Sequence, residues 1–557
     1  MTRLSTVMTA LLDWAAASAW RRSVLTLAIA LVTVLPGITA MPVTDRDEAR
    51  FAQASKQMME TGDLIDIRFQ DQPRWKKPVG IYWLQAASAS VLDGGVEADI
   101  WAYRVPSALA VIIAALLMGW VARPLIGPRG AVLAGIMLAT TVLAVAEANI
   151  AKTDATLMLS AVLALGALGR ALTGPVGWGI WAVFWLAIAA SILIKGPILV
   201  AIVALALLGI WALTRKAPSF GRLRPLPGIG LTALLVAPWL IAIWHISDGA
   251  FFAESVGKDL GAKLASGQEK HWGPPGLYAG IVWGTFWPWA AFIPVAFGAL
   301  LAARRQVWLI LIIAWVVPFW IVLEIVPTKL PHYVLPLYPA LIIALAWWVT
   351  EGDAPKSRWT RWASATITAI PGIGLGLAVL ILPLALEGRP AWTAIPLAAI
   401  GIAATVLACR AALRDLRMAQ VGASIVAALA LYPAVLQVGL PSLSTAFPSP
   451  RMAEMIASQR ACASGPAFTI GYREPSLVFL TETGTNLKPP QASVTALAAD
   501  PGTMVLVEDR WRHALDKADL PPLVSRGEIS YFNYNRGKSE TAHLLTRDDP
   551  RWDACRE

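Results

Sequence analysis

The feature that most constrains this chain is a recurrence of apolar stretches, each near the roughly 20 residues that a helix needs to cross about 30 Å of hydrocarbon. Thirteen such runs stand near 23–41, 101–122, 130–148, 154–171, 177–194, 197–214, 229–247, 277–301, 307–325, 333–350, 363–384, 391–409 and 419–440. In hydrocarbon a backbone must satisfy its own hydrogen bonds, so these runs are expected as helices. The stretch 79–92 is apolar on one face but too short to cross, and is expected to be re-entrant or interfacial. Composition agrees: 57% of the 557 residues are hydrophobic and 15% charged. That is too little charge to cover several soluble domains and too much hydrophobicity for a disordered chain. The expectation is an all-α polytopic membrane protein. Arg3, Asp13, Arg21 and Arg22 lie ahead of the first run, which does not match a short cleavable signal, so that run is expected to be retained as a helix.

A net charge of +10 would suggest a nucleic-acid partner in a soluble protein. In a membrane protein it reflects Lys and Arg kept at the cytoplasmic ends of spans, and no nucleic-acid partner is expected. One set of connections carries Arg21/Arg22, Arg123/Arg129, Arg170, Arg215/Lys216/Arg222/Arg224, Arg304/Arg305, Lys356/Arg358/Arg361 and Arg410/Arg414/Arg417. The alternate connections, 42–100, 149–153, 195–196, 248–276, 326–332, 385–390 and 441–557, mix signs or are nearly neutral. Thirteen spans then place the N-terminus in the cytoplasm and residues 441–557 outside. Beyond a membrane domain of residues 1–440, the Ala/Leu/Ile runs give way to turns and short β-like stretches at 467–472, 477–481, 504–508 and 528–534, which predict a small external α/β domain. Cys462 and Cys555 fall within it, and both a disulfide and two free thiols fit the sequence.

The polar residues gather on the external side: Asp45, Asp47, Glu48 and Arg50, then Arg74, Lys76 and Lys77, then Lys152 and Asp154, Lys195, His271, and Lys329, His332 and Tyr333. The span centres are almost free of charge, unlike a transporter with ionisable groups at mid-membrane. Acids and bases at one membrane face suit a charged head group at the lipid–water boundary. Asp45 or Asp47 could cap a helix over 45–59 with Glu48 in its first turn, or could act on an acceptor as a base. Asp154 could cap its span with Thr153, or be paired or catalytic at the edge of hydrocarbon. Lys195 could snorkel, or, beside the helix break at Gly196 and Pro197, could bind phosphate. Pro327, Pro331, Pro336 and Pro339 explain an irregular backbone but not the Lys329, His332 and Tyr333 it carries. No HExxH, CxxC or carboxylate-rich DxD run specifies a metal, and no Walker or GxGxxG loop offers a nucleotide site.

Together these pieces resemble a known family. Asp45-Arg46-Asp47-Glu48-Ala49-Arg50-Phe51, Thr61-Gly62-Asp63, Lys77-Pro78 with Tyr82-Trp83-Leu84, Lys152-Thr153-Asp154, Lys195-Gly196-Pro197 and the run from His332 to Pro339 are similar to the bacterial aminoarabinose (lipid A) transferases. They also resemble the wider dolichyl-phosphate-mannose–protein mannosyltransferase-like group. The resemblance covers about residues 23–350. It implies a C-type integral-membrane glycosyltransferase fold and a polyprenyl-phosphate-linked sugar donor. The implied acceptor is lipid A, another envelope glycan or a protein, and the implied setting is the outer face of a bacterial inner membrane. It casts Asp47 and Asp154 as the catalytic carboxylates and Arg50, Lys77, Lys195 and Tyr333 as donor-phosphate ligands. Asp45, Glu48, Lys76, His271, Lys329 and His332 are further substrate-binding candidates. No cofactor is required by the resemblance, and a divalent cation is compatible with it. One departure stands out: Lys76 occupies a position usually held by glutamate in the aminoarabinose transferases. An amino sugar would lose a carboxylate partner there, and a neutral or acidic sugar would gain a cation. A lipid-linked-sugar flippase is the competing reading, and would tolerate neutralisation of Asp47 or Asp154.

Overall fold

The computed structural model describes all residues except 217–218, 262–271, 354–356, 534–535 and 556–557. Each of the thirteen apolar runs lies on helix. Among the described residues nine helices are long and apolar enough to cross a membrane, or ten if the bent pair Leu277–Thr285 and Trp289–Ala303 is one span. The difference from thirteen lies at three places. Ile100–Ala139 is one element of 40 residues broken by non-helical backbone at Ile126 and Gly127. At about 1.5 Å per residue it would be about 60 Å long, twice the hydrocarbon thickness, so it holds two of the predicted runs. Ala19–Val34 and Ile198–Thr214 are 16 and 17 residues long, shorter than a full span. The protein is a multi-pass membrane protein. Its outer helices are apolar all round, as lipid contact requires: in Arg358–Glu387 only 22% of the most apolar window is buried, against 78% in Asp154–Thr173.

The stretch 79–92 is a 13-residue helix, Gly80–Leu92, too short to cross. Ahead of it the loop helix Asp47–Thr61 is buried round most of its circumference, including Phe51, Ala54 and Met58, with Met59 half-buried. Its end explains the Thr61-Gly62-Asp63 signature. Gly62 takes the left-handed C-cap conformation at φ 72°, which only glycine adopts without strain. Asp63 Oδ1 then accepts the backbone N–H groups of Ile65 and Asp66 and closes the turn.

The C-terminal segment carries a four-stranded sheet. Phe468–Ile470 runs parallel to Met504–Glu508, which pairs antiparallel with Lys538–Arg547, and that strand pairs with Leu523–Asn533 at the edge. Three of the four predicted β stretches fall on these strands. The fourth, 477–481, does not: Pro475–Leu480 is a short helix with proline in its first turn, a position proline favours, and a short buried apolar run cannot by itself distinguish helix from strand. Cys462 is disulfide-bonded and Cys409 is free.

One buried ion pair ties the helix Ile100–Ala139 to the loop that follows Ala19–Val34. Arg104 donates from Nε to Glu48 Oε1 at 2.8 Å and from Nη2 to Oε2 at 2.9 Å, with both side chains fully buried. The guanidinium also donates to the carbonyls of Ile38, Met41 and Pro42. Glu48 accepts the backbone N–H groups of Thr44 and Ala151. These partners hold the Glu48 carboxyl below its usual range against the opposing effect of burial. Arg104→Met is therefore expected to leave an unpaired buried charge and destabilise the fold by about 3–5 kcal/mol, and the pair Glu48→Leu/Arg104→Met much less. Thermal unfolding of the detergent-purified protein checks this: both variants melting alike would contradict it.

Candidate functional site

Three connections between helices meet at one point. Helix Trp178–Lys195 ends at Gly196, whose φ of 70° permits a tight reversal into Ile198–Thr214. Lys195 thus stands in the last turn of a helix, where the dipole favours a cation. Asp154 opens the helix Asp154–Thr173. Pro331–Leu337 is a 3₁₀ segment carrying His332 and Tyr333. It is pinned from behind by Trp315, whose Nε1 donates to the Pro336 carbonyl at 3.0 Å, and by Tyr338, whose hydroxyl bonds Thr285 Oγ1 at 2.6 Å.

The side chains form a compact charged cluster. Lys195 Nζ lies 2.5 Å from Asp154 Oδ1, and the same ammonium sits 5.4 Å from the centroid of the Tyr333 ring. Lys152 Nζ lies 3.0 Å from Glu147 Oε1, 3.1 Å from His332 Nδ1 and 4.0 Å from Asp154 Oδ2. His332 Nε2 lies 3.7 Å from Asp154 Oδ2. Glu147, Lys152 and Asp154 are buried, and Glu147 Oε2 has no hydrogen-bond partner among the described residues. Neither Thr153 nor Asp154 makes a side-chain cap bond, so the pairing of Asp154 with Lys195 prevails over the capping alternative.

Glu147 was missed by sequence reasoning because it sits at the end of an apolar run. An acid inside a span is itself a signal, since burial there is costly without a partner.

The structure sorts the remaining sequence candidates. Asp47 is exposed in the first turn of the loop helix, and its charge acts on Lys152 and on Tyr82. Arg50, Lys76, Lys77 and Tyr333 are half-buried; Arg50 acts on Glu474 of the C-terminal segment. Asp45 caps no helix; it takes a hydrogen bond from Ser476. Glu48 is a correction: its carboxylate is engaged by Arg104, Thr44 and Ala151 and is closed to a ligand. Lys329 is another, for its ammonium donates to the carbonyls of Leu323, Glu324 and Val326 and caps the helix Val307–Ile325. His271 lies outside the described residues.

Comparison with known proteins follows the same lines. The model of the dolichyl-phosphate-mannose-protein mannosyltransferase family matches residues 76–244. An undecaprenyl phosphate-alpha-4-amino-4-deoxy-L-arabinose arabinosyl transferase of Edwardsiella ictaluri is 29% identical over 381 residues, 65% of this chain and 66% of that protein. The protein of the same name from Aeromonas salmonicida is 29% identical over 319 residues, 55% of this chain and 56% of its own length. The match thus spans just under two thirds of the Edwardsiella protein. In structure, ArnT from Cupriavidus metallidurans bound to undecaprenyl phosphate superposes with a TM-score of 0.75 at 18% identity, covering 93% of this chain and 97% of that one. The chain has the ArnT fold. An oligosaccharyltransferase of Archaeoglobus fulgidus shares the architecture more distantly, at a TM-score of 0.50 and 11% identity over 89% of this chain and 71% of that one. The expected C-type glycosyltransferase fold with a small C-terminal sheet region holds, and so does the family resemblance read from the motifs.

Glu147, Asp154 and His332 bring ligand atoms within 4.8 Å of one another, and so form the one candidate metal group among the described residues. The two lysines fit that role poorly. Lys152 and Lys195 already neutralise the carboxylates that a divalent ion would need, from 3.0 and 2.5 Å. Within the ArnT fold this reads as an ammonium–carboxylate site. Titration of the purified protein with Mg²⁺ or Mn²⁺ is expected to reveal no stoichiometric binding that Asp154→Asn abolishes; such binding would contradict the reading.

Proposed function

We propose that this protein transfers a sugar from an undecaprenyl-phosphate carrier to lipid A or another envelope acceptor. Its site and C-terminal domain would lie on the periplasmic side of a bacterial inner membrane. The observation that carries the reading is the Lys195–Asp154–Lys152–His332–Tyr333 cluster at one end of the spans, with the exposed Asp47 carboxylate acting on the same Lys152. The names of the relatives and the undecaprenyl phosphate bound by ArnT supply the donor class. The alternation of Lys and Arg between connections supplies the orientation, N-terminus inside.

In this reading Lys195, with Tyr333, Arg50 and Lys77, holds the donor phosphate. Cations there lower the barrier because negative charge develops on the lipid phosphate as the glycosidic bond breaks. Asp154 and Glu147 hold Lys195 and Lys152 in place before the lipid arrives, so little reorganisation is left for the reaction. Asp47 takes the proton from the acceptor hydroxyl, or orients that hydroxyl for attack. Direct displacement would invert the anomeric centre. Lys76 favours a neutral or acidic sugar beside it over an amino group. A protein acceptor is the second reading, favoured by the mannosyltransferase family match at 76–244.

The test is transfer of labelled sugar from undecaprenyl phosphate to envelope fractions. Asp47→Asn is expected to lower turnover by about 10²–10⁴-fold, the usual contribution of a general base, while undecaprenyl phosphate binding stays within about threefold. Full transfer by Asp47→Asn would remove that residue from the chemistry. Lipid movement across vesicles with no transfer by the wild type would favour a flippase.

A further inference from the structure

Asp47 follows a strained residue. Arg46, the N-cap of the loop helix, holds φ 66° and ψ −101°, a region that a residue with a side chain rarely enters. Such a conformation costs about 1–3 kcal/mol and persists only where the surroundings over-determine it. Two anchors flank the turn. On one side Glu48 is locked by Arg104. On the other, Asp45 accepts a hydrogen bond from Ser476, more than 400 residues away in the C-terminal domain.

Ser476 is itself fixed. Its hydroxyl bonds Ser449 Oγ at 2.6 Å, and Ser449 bonds the Tyr472 hydroxyl at 2.5 Å; all three residues are buried. The helix Pro475–Leu480 that carries Ser476 lays Phe479 against Tyr103, edge to face at 5.3 Å between centroids. The same segment continues along the loop helix. Thr483 bonds Gln53 at 2.6 Å and Glu60 at 2.7 Å, and Gln70 donates to the Thr483 carbonyl at 2.9 Å.

We propose that the C-terminal domain is a clamp that positions the reacting carboxylate: Ser476, through Asp45, holds the Arg46 turn that presents Asp47 towards Lys152. The proposal rests on the reading of Asp47 as that carboxylate. Asp45 and Ser476 are positioning residues and touch no substrate.

The groups around Asp45 make the clamp sensitive to pH. Burial, and then the Glu474 carboxylate, push Asp45 up to about 7, while Ser476 and Arg46 pull it down. Glu474 is itself raised by burial, and Arg46, Arg50 and Glu508 act on it; the Tyr472 hydroxyl is close by. A carboxyl raised in the folded state from its ordinary value of about 3.9 stabilises that state while protonated, and this contribution is lost as pH climbs to about 7. Protonation in mild acid therefore relieves the cost of burying Asp45, while the Ser476 hydroxyl bonds the ionised carboxylate more strongly.

The experiment compares the full-length wild type with Ser476→Ala, Asp45→Asn and Asp47→Asn. It measures transfer of labelled sugar from undecaprenyl phosphate to envelope fractions and hydrogen exchange at residues 44–50. Ser476→Ala is expected to lower kcat by about ten- to a hundredfold, as a misplaced catalytic group does, with donor KM within about twofold and faster exchange confined to 44–50. Asp45→Asn keeps the contact without the charge. It is expected to hold kcat within about threefold and to remove the component of the pH profile that titrates near about pH 7. The clamp is overturned if Ser476→Ala leaves kcat and exchange unchanged. It is also overturned if kcat falls with exchange rising across the whole C-terminal domain, or if Asp45→Asn keeps the wild-type profile. Loss of transfer in Asp47→Asn alongside any of these sinks the clamp alone, whereas full transfer in Asp47→Asn sinks the reading beneath it.

Discussion

The architecture of the end of the molecule that carries the charged cluster depends on the buried pair between Glu48 and Arg104. A guanidinium and a carboxylate removed from water are stable only when the geometry is good and the remaining donors and acceptors are satisfied. Here the fork is bidentate, and backbone carbonyls at Ile38, Met41 and Pro42 take other guanidinium protons. The same carboxylate accepts the N–H of Ala151, directly before Lys152. One ion pair therefore fixes the chain leaving the helix Ala19–Val34, the start of the loop helix and the stretch that bears Lys152. Asp47 and Lys152 are held relative to each other because both are neighbours of groups that Arg104 and Glu48 secure.

The charged cluster follows from that frame. Two carboxylates and two ammonium groups sit together with His332 between them, buried or nearly so. Charges at the edge of hydrocarbon are costly unless paired, and this near-balance lets the site exist before a ligand arrives. In the proposed reading an incoming phosphate would meet ammonium groups already in place, so binding would draw on preorganised charge. The C-terminal segment packs against the arrangement through Phe479 on Tyr103 and the serine–tyrosine chain that ends at Asp45.

Much of this was legible in the sequence because it is local. Apolar length marks spans, Gly196 beside Pro197 marks a reversal with Lys195 at its apex, and Gly62 marks the end of the loop helix. What could not be read depends on partners distant along the chain or on where a helix ends. Glu48 looked like a ligand because its partner Arg104 lies 56 residues on. Lys329 looked free to bind substrate because its carbonyl partners belong to the end of the preceding helix. Glu147 was lost in an apolar run, and the 477–481 stretch was taken for strand because burial, not periodicity, chose its conformation. The count of spans was blurred where two runs share one 40-residue helical element.

The most direct test of the central claim, that this cluster is a cradle for a lipid phosphate, is the affinity of undecaprenyl phosphate for the purified protein and for Lys195→Met. A hydrogen bond to a charged group contributes about 1.5–3 kcal/mol, so the account predicts binding weaker by about ten- to a hundredfold, measured on folded protein below the melting point that loss of the Asp154 partner lowers. Equal affinity in the two proteins would contradict it.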